Sequence, residues 1–90
     1  MKPFCWNADK NQQVQAERGV SFEQVLRAIQ QDQILDIIEH PNRQKYPNQR
    51  IFILNMNQYV YLVPFVEFES EIFLKTIIPS RKLKRKYLGD

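Results

Sequence analysis

The residues with the clearest chemical potential lie close to the C-terminus, in the segment FLKTIIPSRKLKRKYLG (residues 73–89). This segment contains six of the thirteen Lys and Arg residues, and no acidic residue lies between Glu71 and Asp90. The six cations are Lys75, Arg81, Lys82, Lys84, Arg85 and Lys86. A local basic field of this kind favours a polyanionic partner, and a solvated, solubilising tail is the alternative.

The placement of Arg81 favours an anion-binding site. Ser80 is a suitable N-cap for a short terminal helix, and Leu83 and Tyr87 are spaced to dock that helix on the rest of the protein. Arg81 and its basic neighbour then occupy the first helical turn, where the helix dipole disfavours cations. A bound anion resolves this conflict, because free backbone N–H groups and a guanidinium can hold one phosphate together.

The composition limits the class of protein. A chain of 90 residues with 43% hydrophobic residues predicts one packed domain spanning residues 1–90. Cys5 and His40 are the only cysteine and histidine, so we expect no disulfide, metal site or cofactor. The start MKPFCWNADK has no apolar leader core, and the run YVYLVPFV is too short to span a bilayer. These features predict a cytoplasmic protein without a membrane partner.

Two helices are predicted in the N-terminal half of the chain. Asn7 is a suitable N-cap for a helix over ADKNQQVQAER, which ends before Gly19. The Ser21–Gln24 stretch has the capping-box pattern, with Val20 and Val25 at the positions of a hydrophobic staple.

The remainder of the chain predicts a sheet. The predicted strands are ILDIIE (34–39), RIFILNM (50–56), YVYLVPFVE (59–67) and IFLKTII (72–78). A hairpin turn around Asn55–Gln58 offers an Asn for positive φ, and Pro64 predicts an edge strand or a bulge. Tyr59 and Tyr61 alternate with core positions and give no sign of base stacking. The predicted class is α+β: two N-terminal helices packed on a mostly antiparallel sheet of three or four strands, with helices on one face and a short C-terminal helix.

Several short motifs occur in a recognisable order. They are Trp6 with Lys10-Asn11, the segment RGVSFE (residues 18–23), Arg50 opening a strand, and IIPSRK (residues 77–82). Together they resemble the BrnT family of toxins from type II toxin–antitoxin systems, a branch of the RelE-like ribonuclease toxins. The family patterns are W-x-x-x-K-N, H-G-[IV]-[ST]-F-E and I-I-S-A-R-K. This chain departs from them at Arg18, at Pro79-Ser80, and in a hairpin turn without glycine.

The resemblance implies a RelE-like fold and metal-independent cleavage of mRNA, which inhibits translation. In that reaction the 2′-hydroxyl attacks the adjacent phosphorus and the 5′-oxygen leaves, so cations and proton-transfer groups are required. The predicted catalytic residues are Arg81, Arg50, Lys10 and His40. The predicted RNA-binding residues are Lys75, Lys82, Lys84, Arg85 and Lys86. The implied partner is a cognate antitoxin of the ribbon-helix-helix type, through which the complex would bind operator DNA.

Several of these residues can also have a purely structural role. His40 can be a solvated loop residue, Trp6 a core residue, and Glu23 a first-turn residue that satisfies the helix dipole. Arg50 can simply pair across the sheet with Glu39 or Glu67. At the level of function, the alternatives are a non-catalytic nucleic-acid- or partner-binding module on the same fold, and a basic tail that docks on an acidic protein.

Overall fold

The computed structural model describes residues 2–89, which form three helices and a six-stranded mixed sheet. The helices are α1 (Ala8–Arg18), α2 (Phe22–Gln30) and α3 (Arg81–Leu88). The strands are β1 (Phe4–Trp6), β2 (Ile34–Glu39), β3 (Gln49–Met56), β4 (Tyr59–Glu67), β5 (Ile72–Leu74) and β6 (Ile78–Pro79). The α+β class is confirmed, but the sheet has more strands than the three or four that we expected. None of these helices has the length and apolar content needed to cross a membrane.

Local capping residues determine where the helices begin and end. The Asn7 side chain accepts a hydrogen bond from the first turn of α1, and Gly19 closes that helix in the left-handed region at φ +70°. Ser21 and Gln24 form both hydrogen bonds of a capping box at the start of α2. Ser80 caps α3 in the same way as Asn7 caps α1. The predicted caps are therefore confirmed.

The sheet runs in the order β1-β5-β4-β3-β2, and β6 pairs with β4. The pairing of β1 with β5 is parallel, whereas the other pairings are antiparallel. The sequence did not predict β1, because three residues are too few to display strand alternation. β1 brings Trp6 beside Leu74, which anchors the chain just before α1.

The prediction of one continuous last strand is wrong, and the reason lies in Pro64. β5 and β6 are separate strands, and residues 75–77 interrupt them. Pro64 lies opposite Ile51 in an unbroken register with β3, and its carbonyl accepts a hydrogen bond from the Lys75 N–H at 2.8 Å. The nitrogen and carbonyl of a strand residue point to the same side, so the proline nitrogen faces this interruption. The prediction that β4 is an edge strand is wrong, because β4 is an interior strand. The predicted irregularity is present on the β5–β6 side, where three residues (75–77) lie opposite two residues of β4 (63–64).

The main apolar core joins the first two helices to one face of the sheet. Its buried members are Val14, Val20, Phe22, Val25, Ala28, Ile29, Phe52, Leu54, Met56, Val63, Phe65, Leu74 and Ile77. Strand alternation sends the side chains of Ile51, Ile53 and Val60, which are also buried, to the opposite face.

α3 covers this opposite face. The Tyr87 hydroxyl donates a hydrogen bond to Asp36 Oδ2 at 3.2 Å, and Asp36 pairs in register with Ile53. Leu83 and Tyr87 are half-buried, whereas Arg81 is exposed. The prediction that the helices share one face is therefore wrong for α3, because the apolar side chains of the second face also need cover.

Candidate nucleic-acid interface

Four side chains line a surface depression of about 360 Å³ at the beginning of α3. They are Tyr59, Arg81, Lys84 and Arg85, and this cluster is called the basic depression below. The sheet register places them together. The Ser80 N–H donates to the Val60 carbonyl at 2.9 Å, so α3 starts beside the first residues of β4. One aromatic ring therefore lies among three cationic side chains.

Tyr59 presents its ring to these cations. Lys84 Nζ lies 5.8 Å from the centroid of the Tyr59 ring, within the range of a cation–π contact. The ring centroid of Tyr61 lies 5.6 Å from that of Tyr59, and burial, followed by the neighbouring Tyr59, raises the pKa of Tyr61. Aromatic rings beside cations can stack nucleobases while the cations bind phosphates. The sequence interpretation missed the position of Tyr59 beside these cations, which depends on the pairing of β6 with β4.

Among residues 2–89, no carboxylate forms an ion pair with the cations of the basic depression. The ion pairs formed among residues 2–89 are Lys2–Glu67, Arg43–Glu39 and Arg50–Glu67. None of them includes Arg81, Lys84 or Arg85. The basic depression therefore keeps its positive charge available for an anion.

Arg50, in contrast to the cations of the basic depression, is engaged by other side chains of the protein. Its guanidinium contacts Glu67 and lies 5.1 Å from the centroid of the Phe65 ring. Lys2 also binds Glu67, and its hydrogen bond and charge, followed by those of Arg50, hold the pKa of Glu67 below its usual value. This geometry matches the structural alternative, in which Arg50 pairs across the sheet with Glu67.

Arg50 and Arg81 lie towards different ends of the β3–β4 hairpin. Arg50 is in register with Phe65, and the start of α3 is in register with Val60. Five residues of strand separate these two levels by about 17 Å. Two guanidiniums that keep these contacts do not meet at one phosphate.

His40 lies at the Arg50 end of the hairpin. Its backbone N–H donates to the Gln49 carbonyl, and its Nδ1 accepts a hydrogen bond from the Asn42 N–H at 3.1 Å. The His40 ring also lies 4.4 Å from that of Tyr46. The structure therefore does not bring His40 to Arg81.

Lys10 occupies the first turn of α1, which follows Trp6 at the β1 side of the sheet. The other end of α1 approaches β6, where Arg18 donates to the Ile77 carbonyl. Lys10 and Arg18 are eight residues apart on α1, which separates Lys10 from that region by about 12 Å along the helix. Arg50, Lys10 and His40 therefore do not join Arg81 in the basic depression.

Lys75, Lys82 and Lys86, which were also predicted to bind RNA, do not line the basic depression. Lys82 and Lys86 are exposed on α3, and Lys86 Nζ lies 5.4 Å from the centroid of the Tyr87 ring. Lys75 is exposed in the interruption between β5 and β6, with its Nζ 5.5 Å from the centroid of the Phe73 ring. These side chains extend the positive field and do not line the depression.

Three other motif residues, Asn11, Glu23 and Trp6, make contacts around the start of α2. Asn11 is buried; its Oδ1 accepts from the Phe22 N–H at 2.9 Å, and its Nδ2 donates to Glu23 at 2.8 Å. This hydrogen bond is the main cause of the lowered pKa of Glu23. Trp6 stacks on Phe22, with a centroid distance of 5.6 Å and an interplanar angle of 20°. Glu23 is therefore placed as a residue of the first turn of α2, and Trp6 packs against the core, as their structural interpretations expected.

Among residues 2–89, no group of three or more His, Cys, Asp or Glu side chains is arranged to hold a metal ion. Comparison of the chain with protein-family models, with curated proteins and with solved structures finds no match. The functional assignment rests on the geometry of the basic depression and on the motif resemblance.

Proposed function

We propose that the chain is a single-stranded RNA-binding toxin of a type II toxin–antitoxin pair, with a RelE-like fold and metal-independent endoribonuclease activity. The observation that carries this proposal is the basic depression, where Tyr59 lies among Arg81, Lys84 and Arg85. A ring for base stacking beside cations for phosphates is the combination that single-stranded RNA requires. The BrnT-like motif order supports the toxin class.

The proposed reaction assigns distinct roles within the depression. The guanidinium groups of Arg81 and Arg85 stabilise the negative charge that develops on the phosphorane. Tyr59 and Lys84 are the lining groups that can exchange a proton. The 2′-hydroxyl loses its proton and attacks phosphorus, and the departing 5′-oxygen gains a proton. The products are a 2′,3′-cyclic phosphate and a 5′-hydroxyl end.

The proposed partner is a cognate antitoxin of the ribbon-helix-helix type. A partner that covers the basic depression would block RNA and neutralise exposed cations in one interface. In this proposal operator DNA is bound only through the antitoxin part of the complex.

Incubation of purified protein with RNA in excess chelator tests the activity. We expect cleavage that leaves 2′,3′-cyclic phosphate ends, and loss of cleavage in Arg81→Ala. Arg43→Ala is the matched control, because Arg43 is also exposed but pairs with Glu39 at the far end of the hairpin. Intact RNA, or cleavage that the chelator abolishes, would refute the nuclease assignment.

A non-catalytic RNA-binding module is the second candidate. It is favoured by the position of His40, whose Nδ1 is engaged by the Asn42 N–H and which lies away from Arg81. In that case RNA binds with a steep salt dependence but is not cut, and Arg81→Ala changes only affinity.

A further inference from the structure

Gln58, in the turn between β3 and β4, has a backbone conformation that disfavours a residue with a side chain. Asn57 and Gln58 have φ values of +56° and +60°, as the two central residues of a type I′ hairpin turn require. Glycine is the favoured residue at the second position, and a side chain there introduces steric strain. Gln58 therefore places an amide at the hairpin tip against the local preference, which makes the tip a candidate functional position.

This amide belongs to a cluster of uncharged polar side chains. They line a depression of about 290 Å³ next to the turn: Gln31, Gln33, Asn55, Asn57 and Gln58. The Gln33 amide donates to the Gln31 carbonyl at 3.3 Å. Within residues 2–89, no hydrogen bond occupies the side-chain amides of Asn55, Asn57 or Gln58. These amides are free to bind a ligand.

The amide-lined depression and the basic depression both border a third depression. The third depression, of about 260 Å³, shares Asn55 and Gln58 with the amide-lined one and Lys84 with the basic one. Neighbouring depressions therefore border the hairpin tip, with amides lining one end of the row and an aromatic ring with cations lining the other.

We propose that the amide-lined depression is a base-recognition subsite for single-stranded RNA whose phosphates bind in the basic depression. Each Asn or Gln side chain offers a donor and an acceptor side by side, which matches the edge of an unpaired nucleobase. Cations would bind any sequence equally, whereas these amides distinguish bases. The subsite deepens the proposed RNA function and depends on RNA binding, but it does not depend on cleavage.

Gln58→Gly is the most informative variant. Glycine accepts the positive φ of this turn better than glutamine does, so the variant removes the amide without weakening the hairpin. The probes are fluorescent oligonucleotides of about eight nucleotides with 2′-O-methyl groups, which the proposed reaction cannot cleave. Oligoadenylate, oligocytidylate, oligouridylate and a mixed guanine-containing oligomer are compared by fluorescence anisotropy.

We expect the wild-type protein to prefer one oligomer by about fivefold or more. Gln58→Gly and Asn55→Ala should reduce this preference and leave the salt dependence unchanged, whereas Arg85→Ala should weaken all four oligomers alike. Gln44→Ala, in the exposed loop between β2 and β3, is the matched control and should keep the preference. Equal binding of all oligomers by the wild-type protein, or a preference that survives both amide variants, would overturn the subsite.

The outcomes separate this inference from the nuclease proposal. A base preference that is lost in Gln58→Gly, in a protein that does not cut RNA, supports the subsite and removes the nuclease. Cleavage in chelator with no effect of either amide variant on base preference removes the subsite and keeps the nuclease.

Discussion

Lys84 holds its ammonium nitrogen 5.8 Å from the centroid of the Tyr59 ring, which links α3 to the first residue of β4. The two residues are 25 positions apart in the sequence. They meet because β6 pairs with β4 and delivers the chain to this point through Ser80. This contact defines a surface on which an aromatic ring and a cation can act on the same ligand.

Two replacements of Tyr59 distinguish the contribution of its aromatic ring from that of its hydroxyl group. Tyr59→Ala should weaken the binding of non-cleavable RNA by about 1–3 kcal/mol, because base–aromatic stacking contributes this much. Tyr59→Phe should bind with wild-type affinity and lose cleavage if the hydroxyl transfers a proton. Fluorescence anisotropy and an RNA cleavage assay measure the two effects. Tyr46→Ala, at the far end of the hairpin, is the aromatic control, and wild-type affinity in Tyr59→Ala would contradict stacking.

Asn11 should be a major stabilising residue of the N-terminal half. Asn11→Ala leaves the buried Phe22 N–H without its acceptor and removes the hydrogen bond to Glu23. A loss of about 1–3 kcal/mol in the free energy of unfolding is expected. Urea denaturation followed by circular dichroism measures this change. The exposed neighbour Gln12→Ala should have little effect, and equal stability of the two variants would contradict the bridging role.

Cys5 should react slowly with alkylating reagents. Burial, followed by the hydrogen bond that its thiol donates to Glu71, raises the pKa of Cys5 from 9.0 to about 11. At pH 9 about half of an ordinary thiol but only about 1% of Cys5 is ionised, and the thiolate is the reactive form. Iodoacetamide should therefore modify the folded protein tens of times more slowly than the denatured protein.

The raised pKa of Cys5 also makes the stability of the protein depend on pH. Because the folded pKa of Cys5 lies above the unfolded value, its contribution is fully present below pH 9 and declines as the pH rises towards 11. Glu71→Gln removes the neighbouring negative charge and should accelerate the alkylation. A folded-state rate equal to the denatured-state rate would contradict the raised pKa.

Gln58→Gly should stabilise the protein. The variant removes the steric strain of a side chain in the left-handed region, and the expected gain is up to about 1 kcal/mol after the greater entropy loss of glycine. Such a gain raises the Tm by roughly 4–8 °C for a domain of this size. Gln58→Ala is the matched control, because it removes the amide but keeps a Cβ. Equal Tm values for the glycine and alanine variants would show that the turn is not strained.

The sequence predicts local features of this fold well. Capping by Asn7, Ser21 and Ser80 depends on hydrogen bonds within three residues, and each predicted cap is present. The hairpin of β3 and β4 also follows from strand alternation around a short turn. The predictions that fail concern strand neighbours: β1 was missed, the last strand is divided, and Pro64 lies in an interior strand. These features depend on residues far apart in the chain, which local patterns do not report.

The sequence by itself determined the helix caps, the hairpin and the concentration of cations between residues 75 and 86. Only the tertiary structure decided which of these cations line one depression together with Tyr59. Arg81, Lys84 and Arg85 line the same depression as Tyr59, whereas Arg50 is held by Glu67 at the other end of the hairpin. The physical reason is that charge and capping are local properties of the chain. The meeting of side chains depends instead on sheet register and on the packing of α3 against the second face.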